Sequence, residues 1–135
     1  MSSRVIPSLR YRDAKRAVNW LQDGFGFTPH LVIEGDDGRI EHAQFTYGSG
    51  MIMFGSSREG EYDEFVAAGA DGGRATIGLY VVVNDVDAHA DTARAAGAEI
   101  VMEPEDQDYG GRLYTCLDFE GNVCSFGSYN PWHAD

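Results

Sequence analysis

The chain has 135 residues, 43% of them hydrophobic and 24% charged, as expected of one globular domain with a proper core. Its net charge is −12, which argues against a nucleic-acid partner because phosphates are neutralised by Lys and Arg. No apolar run approaches the roughly 20 residues of a membrane helix, and the N-terminus lacks a signal-peptide pattern, so we expect a cytoplasmic protein without a membrane partner.

The first half of the chain predicts the order β-α-β-β-β. Asp13 stands where a helix N-cap belongs, and apolar residues at helical spacing continue from it to Gly24 and Gly26, which end the helix. Turn residues separate the remaining apolar runs. The predicted strands are 5–11, 29–34, 40–47 and 51–55.

The second half repeats this order. Its helix begins at Asp85 or Asp87, continues to Ala96 and is closed by Gly97. The predicted strands are 77–83, 99–102, 113–117 and 123–129. Each half is too small to close a core alone, so we expect one domain of two paired βαβββ modules, about 5–56 and 76–130. The Gly-rich, acidic stretch 56–75 between them is either a lid or a module linker.

The two cysteines indicate the state of the thiols, and the excess of acidic residues indicates the charge of a ligand. Cys116 and Cys124 flank a predicted hairpin turn, and two thiols are too few for a disulfide framework, so we predict packed free thiols in a reducing compartment. The excess of acidic residues, 22 against 10 basic, favours a cationic ligand by long-range attraction. The same surplus also serves solubility.

The hairpin sequence Asp118-Phe-Glu-Gly-Asn122 is the most informative stretch of the chain. It resembles the D-x-x-G-N signature of the vicinal oxygen chelate superfamily, which includes glyoxalases, bleomycin-resistance proteins and extradiol dioxygenases. The segments 9–13, 20–27 and 81–87 are also similar to that family. The resemblance implies an α+β fold in which paired βαβββ modules form a curved mixed sheet around a concave cavity, with a homodimer partner.

Metal-dependent relatives place one ligand on the first strand of each module and one on the last. By this resemblance, the first module offers Ile6 or Ser8 together with Met53, and the second offers Gly78 together with Ser125. Divalent ions of these sites require imidazole or carboxylate. We therefore predict no metal, no cofactor and no metal-dependent glyoxalase or dioxygenase chemistry at the usual site. No catalytic triad, P-loop or dinucleotide fingerprint is visible, and we assign no catalytic residue.

Histidines provide the remaining candidates for metal ligands. His42 and Gln44 share one face of a predicted strand, opposite Ala43 and Phe45, and we expect them to face the cavity. His89 lies on the second helix among acidic residues, which indicates a solvated face. An alternative metal site would combine His42 with Glu41 or Glu34.

The predicted ligand-binding residues combine soft apolar, aromatic and hydrogen-bonding side chains, which suits a semi-planar organic molecule. They are Ser8, His42, Gln44, Met53, Tyr80, Arg112, Tyr114 and Ser125. Arg112 either holds a ligand carboxylate or pairs with a surface acid. The leading hypothesis is a metal-independent binding protein similar to the antibiotic-sequestering branch of the family. The alternatives are a lyase, isomerase or dioxygenase with non-standard metal ligands, and a dimerising scaffold whose cavity has filled in.

Overall fold

The computed structural model describes residues 3–69 and 73–133, so residues 70–72 of the predicted linker lie outside the described part. The chain divides into two compact units, unit 1 (Met1–Gly69) and unit 2 (Ala70–Asp135). Each unit contains a four-stranded mixed sheet and one α-helix in the order β-α-β-β-β. The predicted α+β class and its internal repeat are confirmed.

Unit 1 consists of β1 (Ser8–Tyr11), α1 (Ala14–Trp20), β2 (Thr28–Glu34), β3 (Ile40–Tyr47) and β4 (Gly50–Ser56). The sheet has the order β1-β4-β3-β2. Strand β1 runs parallel to β4, while the other neighbours are antiparallel. Helix α1 therefore connects two strands of one sheet and lies on a single face of it.

Helix α1 begins and ends as its sequence predicts. The Asp13 carboxylate accepts a hydrogen bond of 3.0 Å from the Arg16 backbone N–H, which satisfies one of the free donors of the first turn. The helix continues into a π-helical turn, Leu21–Phe25, and stops at Gly26, whose φ of 81° lies in the left-handed region. Glycine adopts this conformation without a steric penalty.

The core of unit 1 lies between α1 and the face of the sheet that we call the helix face. Ala43 and Phe45 are fully buried there, and the Phe54 ring makes edge contacts with Phe45 at 5.0 Å and with Tyr11 at 5.4 Å. Side chains alternate along a strand, so the intervening residues of β3 project from the opposite side of the sheet, which we call the open face.

Residues 57–69, in the first part of the predicted linker, are anchored to unit 1 by charged side chains. Arg10 Nε lies 3.0 Å from Asp63 Oδ1, and the Arg10 guanidinium lies 4.8 Å from the centre of the Tyr62 ring. Arg12 donates a hydrogen bond of 2.8 Å to the Ala68 carbonyl. This part of the linker therefore belongs to the packed structure of unit 1.

The Asp63 contact makes the anchoring dependent on pH. Burial opposes ionisation, but hydrogen bonds from the Arg58 backbone N–H and the Arg10 side chain lower the pKa of Asp63 below its usual value. The ionised carboxylate contributes to the free energy of unfolding above the unfolded-state pKa. This contribution is lost as the pH falls through the lower folded-state pKa. We expect Asp63→Asn to accelerate amide hydrogen exchange in residues 57–69 at neutral pH. Glu64→Gln, in the same turn, is the matched control, and equal exchange in both variants would contradict the prediction.

Unit 2 consists of β5 (Leu79–Val82), α2 (Val86–Ala95), β6 (Glu99–Asp106), β7 (Arg112–Leu117) and β8 (Val123–Gly127). Its sheet has the order β5-β8-β7-β6, which matches the order in unit 1 strand for strand. Among residues 3–69 and 73–133, no helix is long and apolar enough to cross a membrane.

The boundaries of unit 2 refine three expectations. Asp85 is the N-cap of α2, because its carboxylate accepts a hydrogen bond of 3.1 Å from the Ala88 N–H. Strand β5 begins one residue after Gly78, which leaves that glycine outside the sheet. Strand β6 extends to Asp106 through Pro104. The proline is tolerated because β6 is an edge strand, where a residue without an N–H leaves no partner strand unpaired.

Fully buried side chains of β7 and β8 form the core beneath α2. The Tyr114 and Phe126 rings stack with centroids 5.4 Å apart, and the His89 ring of α2 lies 4.2 Å from Phe126. Cys116 and Cys124 are directly opposite each other across β7 and β8 and are free thiols, as predicted. Burial, followed by the nearby Asp118 carboxylate, raises the pKa of Cys116 to about 12, so the thiol is protonated at neutral pH.

The hairpin between β7 and β8 is held together by one buried carboxylate. Asp118 Oδ1 accepts hydrogen bonds from the backbone N–H groups of Glu120 and Asn122, each at 2.9 Å. Its Oδ2 accepts a third bond of 2.9 Å from the Asn122 side-chain amide. Gly121 has a φ of 89°, the left-handed conformation that the turn requires. The motif that carries the family resemblance is thus a structural turn.

Candidate functional site

Four side chains form a row across the open face of unit 1, one from each strand. Ser8 is in register with Met53, Met53 with Gln44, and Gln44 with Leu31. Residues in register on neighbouring strands project from the same face of a sheet. The structure therefore brings together three of the predicted site residues, Ser8, Gln44 and Met53, and adds Leu31, which is 41% exposed.

The open face of unit 2 carries the equivalent row. Tyr80 is in register with Ser125, Ser125 with Thr115, and Thr115 with Met102. The hydroxyl groups of Thr115 and Ser125 are 2.8 Å apart and hydrogen-bonded. Tyr80 and Met102 are substantially exposed at the two ends of the row, with exposed fractions of 41% and 58%. Tyr80 and Ser125 are thus neighbours, as predicted for one site.

The strand registers show which first-strand residues lie beside Met53 and Ser125. Ser8 lies beside Met53 on β1 and β4, and Tyr80 occupies the equivalent place beside Ser125 on β5 and β8. Ile6 and Gly78, the first-strand residues that the resemblance offers, each lie two positions earlier in the chain, before β1 and β5 begin.

The side chains at these positions do not fit a metal ion of the family's usual kind. Neither the residues that the resemblance offers (Ile6 or Ser8, Met53, Gly78 and Ser125) nor Tyr80 beside Ser125 provide the imidazole or carboxylate that such an ion requires. Within the described parts of the chain, no group of three or more His, Cys, Asp or Glu side chains is arranged to hold a metal ion.

His42 lies on the open face of unit 1, but its proposed partners do not complete a metal site with it. The Gln44 amide nitrogen is 3.0 Å from His42 Nε2, so the amide donates to the unprotonated ring nitrogen. Glu41 is the adjacent residue on β3, and its carboxylate is paired with Arg39 and Arg58. Glu34 is in register with the buried Ile40, whereas His42 is in register with Ile33. The alternative metal site is therefore not assembled.

Two of the predicted site residues lie on the helix face of unit 2 instead of the open face. Tyr114 is fully buried, and its hydroxyl is 2.5 Å from His89 Nδ1. This corrects both the expectation that Tyr114 lines a cavity and the expectation that His89 is solvated. Arg112 pairs with Asp87 of α2 at 3.1 Å and with Asp106 at 3.2 Å, so it makes the surface ion pairs that were one of its two alternatives.

Sequence reasoning missed several residues of the open faces, among them Thr115, Leu31, Met102 and Arg10. Leu31 and Met102 lie on the edge strands β2 and β6, and each has a register shift beside it. Such shifts disturb simple alternation, so the face of an edge residue cannot be read reliably from the sequence. Arg10 follows Ser8 by two residues on β1, and this alternation was the signal that would have placed it on the open face.

The two βαβββ units, with matching strand orders and matching open-face rows, define a duplicated α+β protein. The sequence profile of the Glyoxalase/Bleomycin resistance protein/Dioxygenase superfamily matches residues 5–126. The chain belongs to this superfamily. A comparison with curated protein sequences gave no match.

Solved structures of the same superfamily resemble the chain along nearly its whole length. TioX from Micromonospora sp. ML1 is 34% identical, with a TM-score of 0.74 over 96% of this chain and 100% of that chain. FosX, the fosfomycin resistance protein of Listeria monocytogenes crystallised with Mn(II) and 1S,2S-dihydroxypropylphosphonic acid, is 15% identical, with a TM-score of 0.71 over 97% of this chain and 93% of that chain. At that identity, the similarity to FosX shows the fold alone.

Proposed function

We propose that the chain binds a small organic molecule without a metal ion, as the antibiotic-sequestering, bleomycin-resistance branch of the superfamily does. The observation that carries this proposal is the chemistry of the two open-face rows. At Ser8 beside Met53 in unit 1, and at Tyr80 beside Ser125 in unit 2, the side chains are neutral hydrogen-bonding or soft apolar groups instead of metal ligands. Sequestration requires no catalytic residue, and such side chains are sufficient for it.

The composition of the rows indicates the shape of the ligand. Met53 and Met102 provide polarisable thioethers, which adapt to irregular surfaces and make favourable contacts with aromatic rings. Tyr80 contributes an exposed aromatic face. Gln44 and Ser125 provide directed hydrogen bonds. Each row by itself combines a thioether with hydrogen-bonding groups, and this matches a semi-planar aromatic molecule with a few polar substituents. In this proposal the protein acts as a homodimer in the cytoplasm.

Calorimetric titration of chelator-treated protein is the test. The panel contains bleomycin, as a cationic glycopeptide, and a set of planar aromatic compounds. We expect at least one compound to bind with a Kd below ~1 mM, corresponding to about −4 kcal/mol. Met53→Ala removes the central thioether of the unit 1 row and should weaken that binding by about tenfold, from the loss of a mostly buried apolar contact.

Asn19→Ala is the matched control, because Asn19 is exposed on α1, away from the open face. It should leave the affinity unchanged. Failure of every compound to bind below ~1 mM, or binding that appears only after a divalent metal is added, would overturn the proposal. Equal weakening by both variants would show that the effect of Met53→Ala does not come from the open face.

A further inference from the structure

Three tyrosines form a connected cluster on unit 2, beside the row that contains Tyr80. The Tyr80 hydroxyl donates a hydrogen bond of 2.6 Å to the Tyr129 backbone carbonyl. The Tyr109 ring meets the Tyr129 ring edge to face, with centroids 5.1 Å apart. Despite these contacts, Tyr80 is 41% exposed and Tyr109 is 57% exposed. The cluster therefore exposes aromatic rings to solvent, and the contacts between the tyrosines fix the positions of these rings.

Two glycines allow the tyrosines to come together. A Cβ atom on Gly127 would lie only 2.7 Å from the Tyr80 hydroxyl, so the Tyr80 ring lies across a strand position that has no side chain. Gly111 has a φ of 76°, and a Cβ there would lie 2.7 Å from the Tyr129 backbone nitrogen. The turn that carries Tyr109 can therefore approach Tyr129 closely. The cluster depends on this backbone geometry and is preorganised.

The net negative charge of unit 2 favours a positively charged ligand. From residue 73 to residue 133 the sequence contains 10 Asp and Glu against three Arg and no Lys. Two of those three arginines, Arg94 and Arg112, are already paired with carboxylates. An acidic surface attracts cations over long distances, and the negative faces of aromatic rings attract them at short range. Anionic ligands are disfavoured by the same charges.

We propose that Tyr80, Tyr109 and Tyr129 form a binding site for the alkylated ammonium group of an organic cation. A weakly hydrated ammonium is attracted to tyrosine faces by the ring quadrupole, while its methyl groups make apolar contact with the rings. The inference deepens the proposed function, because Tyr80 belongs to both the cluster and the open-face row. It assigns a cationic group to the ligand and places that group at the end of the row.

The test is an NMR titration of the full chain with choline and with 3,3-dimethyl-1-butanol, its uncharged carbon isostere. We expect choline to shift the amide signals of Tyr80, Tyr109 and Tyr129 and of the two glycines, in a saturable manner. The isostere should bind at least about fivefold more weakly, which is the ratio for roughly 1 kcal/mol of cation–π attraction. Equal binding of the two compounds, or no saturable shift in the cluster, would overturn the inference.

Variants of Tyr109 separate a binding role from a role in folding. Tyr109→Leu removes one aromatic face from a largely exposed position and should weaken choline binding by about fivefold. Tyr109→Phe keeps the ring and should bind choline as the original chain does. Tyr62→Leu, which removes a half-exposed tyrosine of unit 1, is the matched control and should have no effect. Loss of binding in the control, or retained binding in Tyr109→Leu, would contradict the assignment.

The two proposals can fail separately. If choline does not bind but a panel compound binds metal-free protein and is weakened by Met53→Ala, the ammonium site is wrong and the proposed function stands. If choline binds at the tyrosines but no panel compound binds, the proposed function is wrong as stated and the ammonium site stands.

Discussion

Replacing Tyr114 by alanine is expected to lower the free energy of unfolding by about 3–5 kcal/mol, the range for deleting a buried aromatic side chain. The ring is fully buried, stacks on Phe126, and bonds to His89 through its hydroxyl. Tyr114→Phe keeps the stacked ring but leaves the half-buried His89 nitrogen without this partner, so we expect a loss of about 1–3 kcal/mol. Chemical denaturation at neutral pH measures both changes.

The same variants decide whether Tyr114 has any part in ligand binding. The sequence alone placed Tyr114 among the cavity residues, whereas the structure places it beneath α2. We therefore expect Tyr114→Phe to destabilise the protein while leaving ligand affinity unchanged. Tyr80→Phe, at an exposed tyrosine that also donates a hydrogen bond, should cost less than about 1 kcal/mol. Reduced affinity in folded Tyr114→Phe, with stability unchanged, would restore the cavity role.

Replacing Asp118 by alanine is expected to cost about 2–3 kcal/mol, because three hydrogen bonds to one buried carboxylate are lost together. The two backbone donors of the turn, at Glu120 and Asn122, lose their acceptor. Asp118→Asn keeps an oxygen that can accept from those donors but places an amide nitrogen next to the Asn122 amide. It should therefore lower the free energy of unfolding less than Asp118→Ala does. Denaturation midpoints of the original chain, Asp118→Asn and Asp118→Ala, measured under the same conditions, rank the three proteins by stability.

Asp108→Ala is the control for the Asp118 series, because Asp108 is also a turn aspartate but is exposed. It should change the free energy of unfolding by no more than about 0.5 kcal/mol. If Asp118→Ala were as mild as Asp108→Ala, the hydrogen-bond account of the family turn would be incorrect.

Local signals in the sequence were sufficient to predict the elements that have one polar and one apolar face. Strand β3 alternates polar His42 and Gln44 with apolar Ala43 and Phe45, and the burial of the latter pair confirms the predicted assignment. The helix caps at Asp13 and Asp85 were also predictable, because a short acceptor side chain followed by apolar helical spacing leaves few alternatives.

Tyr114 of β7 was assigned to the wrong face because apolar side chains lie on both faces of this strand. Tyr114 and Cys116 alternate with Leu113 and Leu117, so hydrophobicity does not distinguish the helix face from the open face. Only the packing of α2 resolves the choice, since His89 lies over Tyr114 and Phe126. Arg112 shares the parity of Tyr114, and its ion pair with Asp87 of α2 follows from the same packing.

The docking of residues 57–69 depends on partners far away in the chain. Arg10 and Asp63 are 53 positions apart, and Arg58 reaches back to Glu41. Charged pairs at such separations leave no periodic pattern, so a Gly-rich acidic stretch looks the same whether it is anchored or free. The equivalence of Ser8 with Tyr80 likewise became clear only from the strand registers.

Metal analysis of the purified protein tests the central claim most directly. The protein is prepared without chelator, dialysed, and examined by inductively coupled plasma mass spectrometry together with its ligand affinity before and after chelator treatment. We predict substoichiometric Mn, Fe, Ni and Zn and the same affinity in both samples. One tightly held divalent ion per chain, with affinity that disappears when that ion is removed, would contradict metal-independent binding.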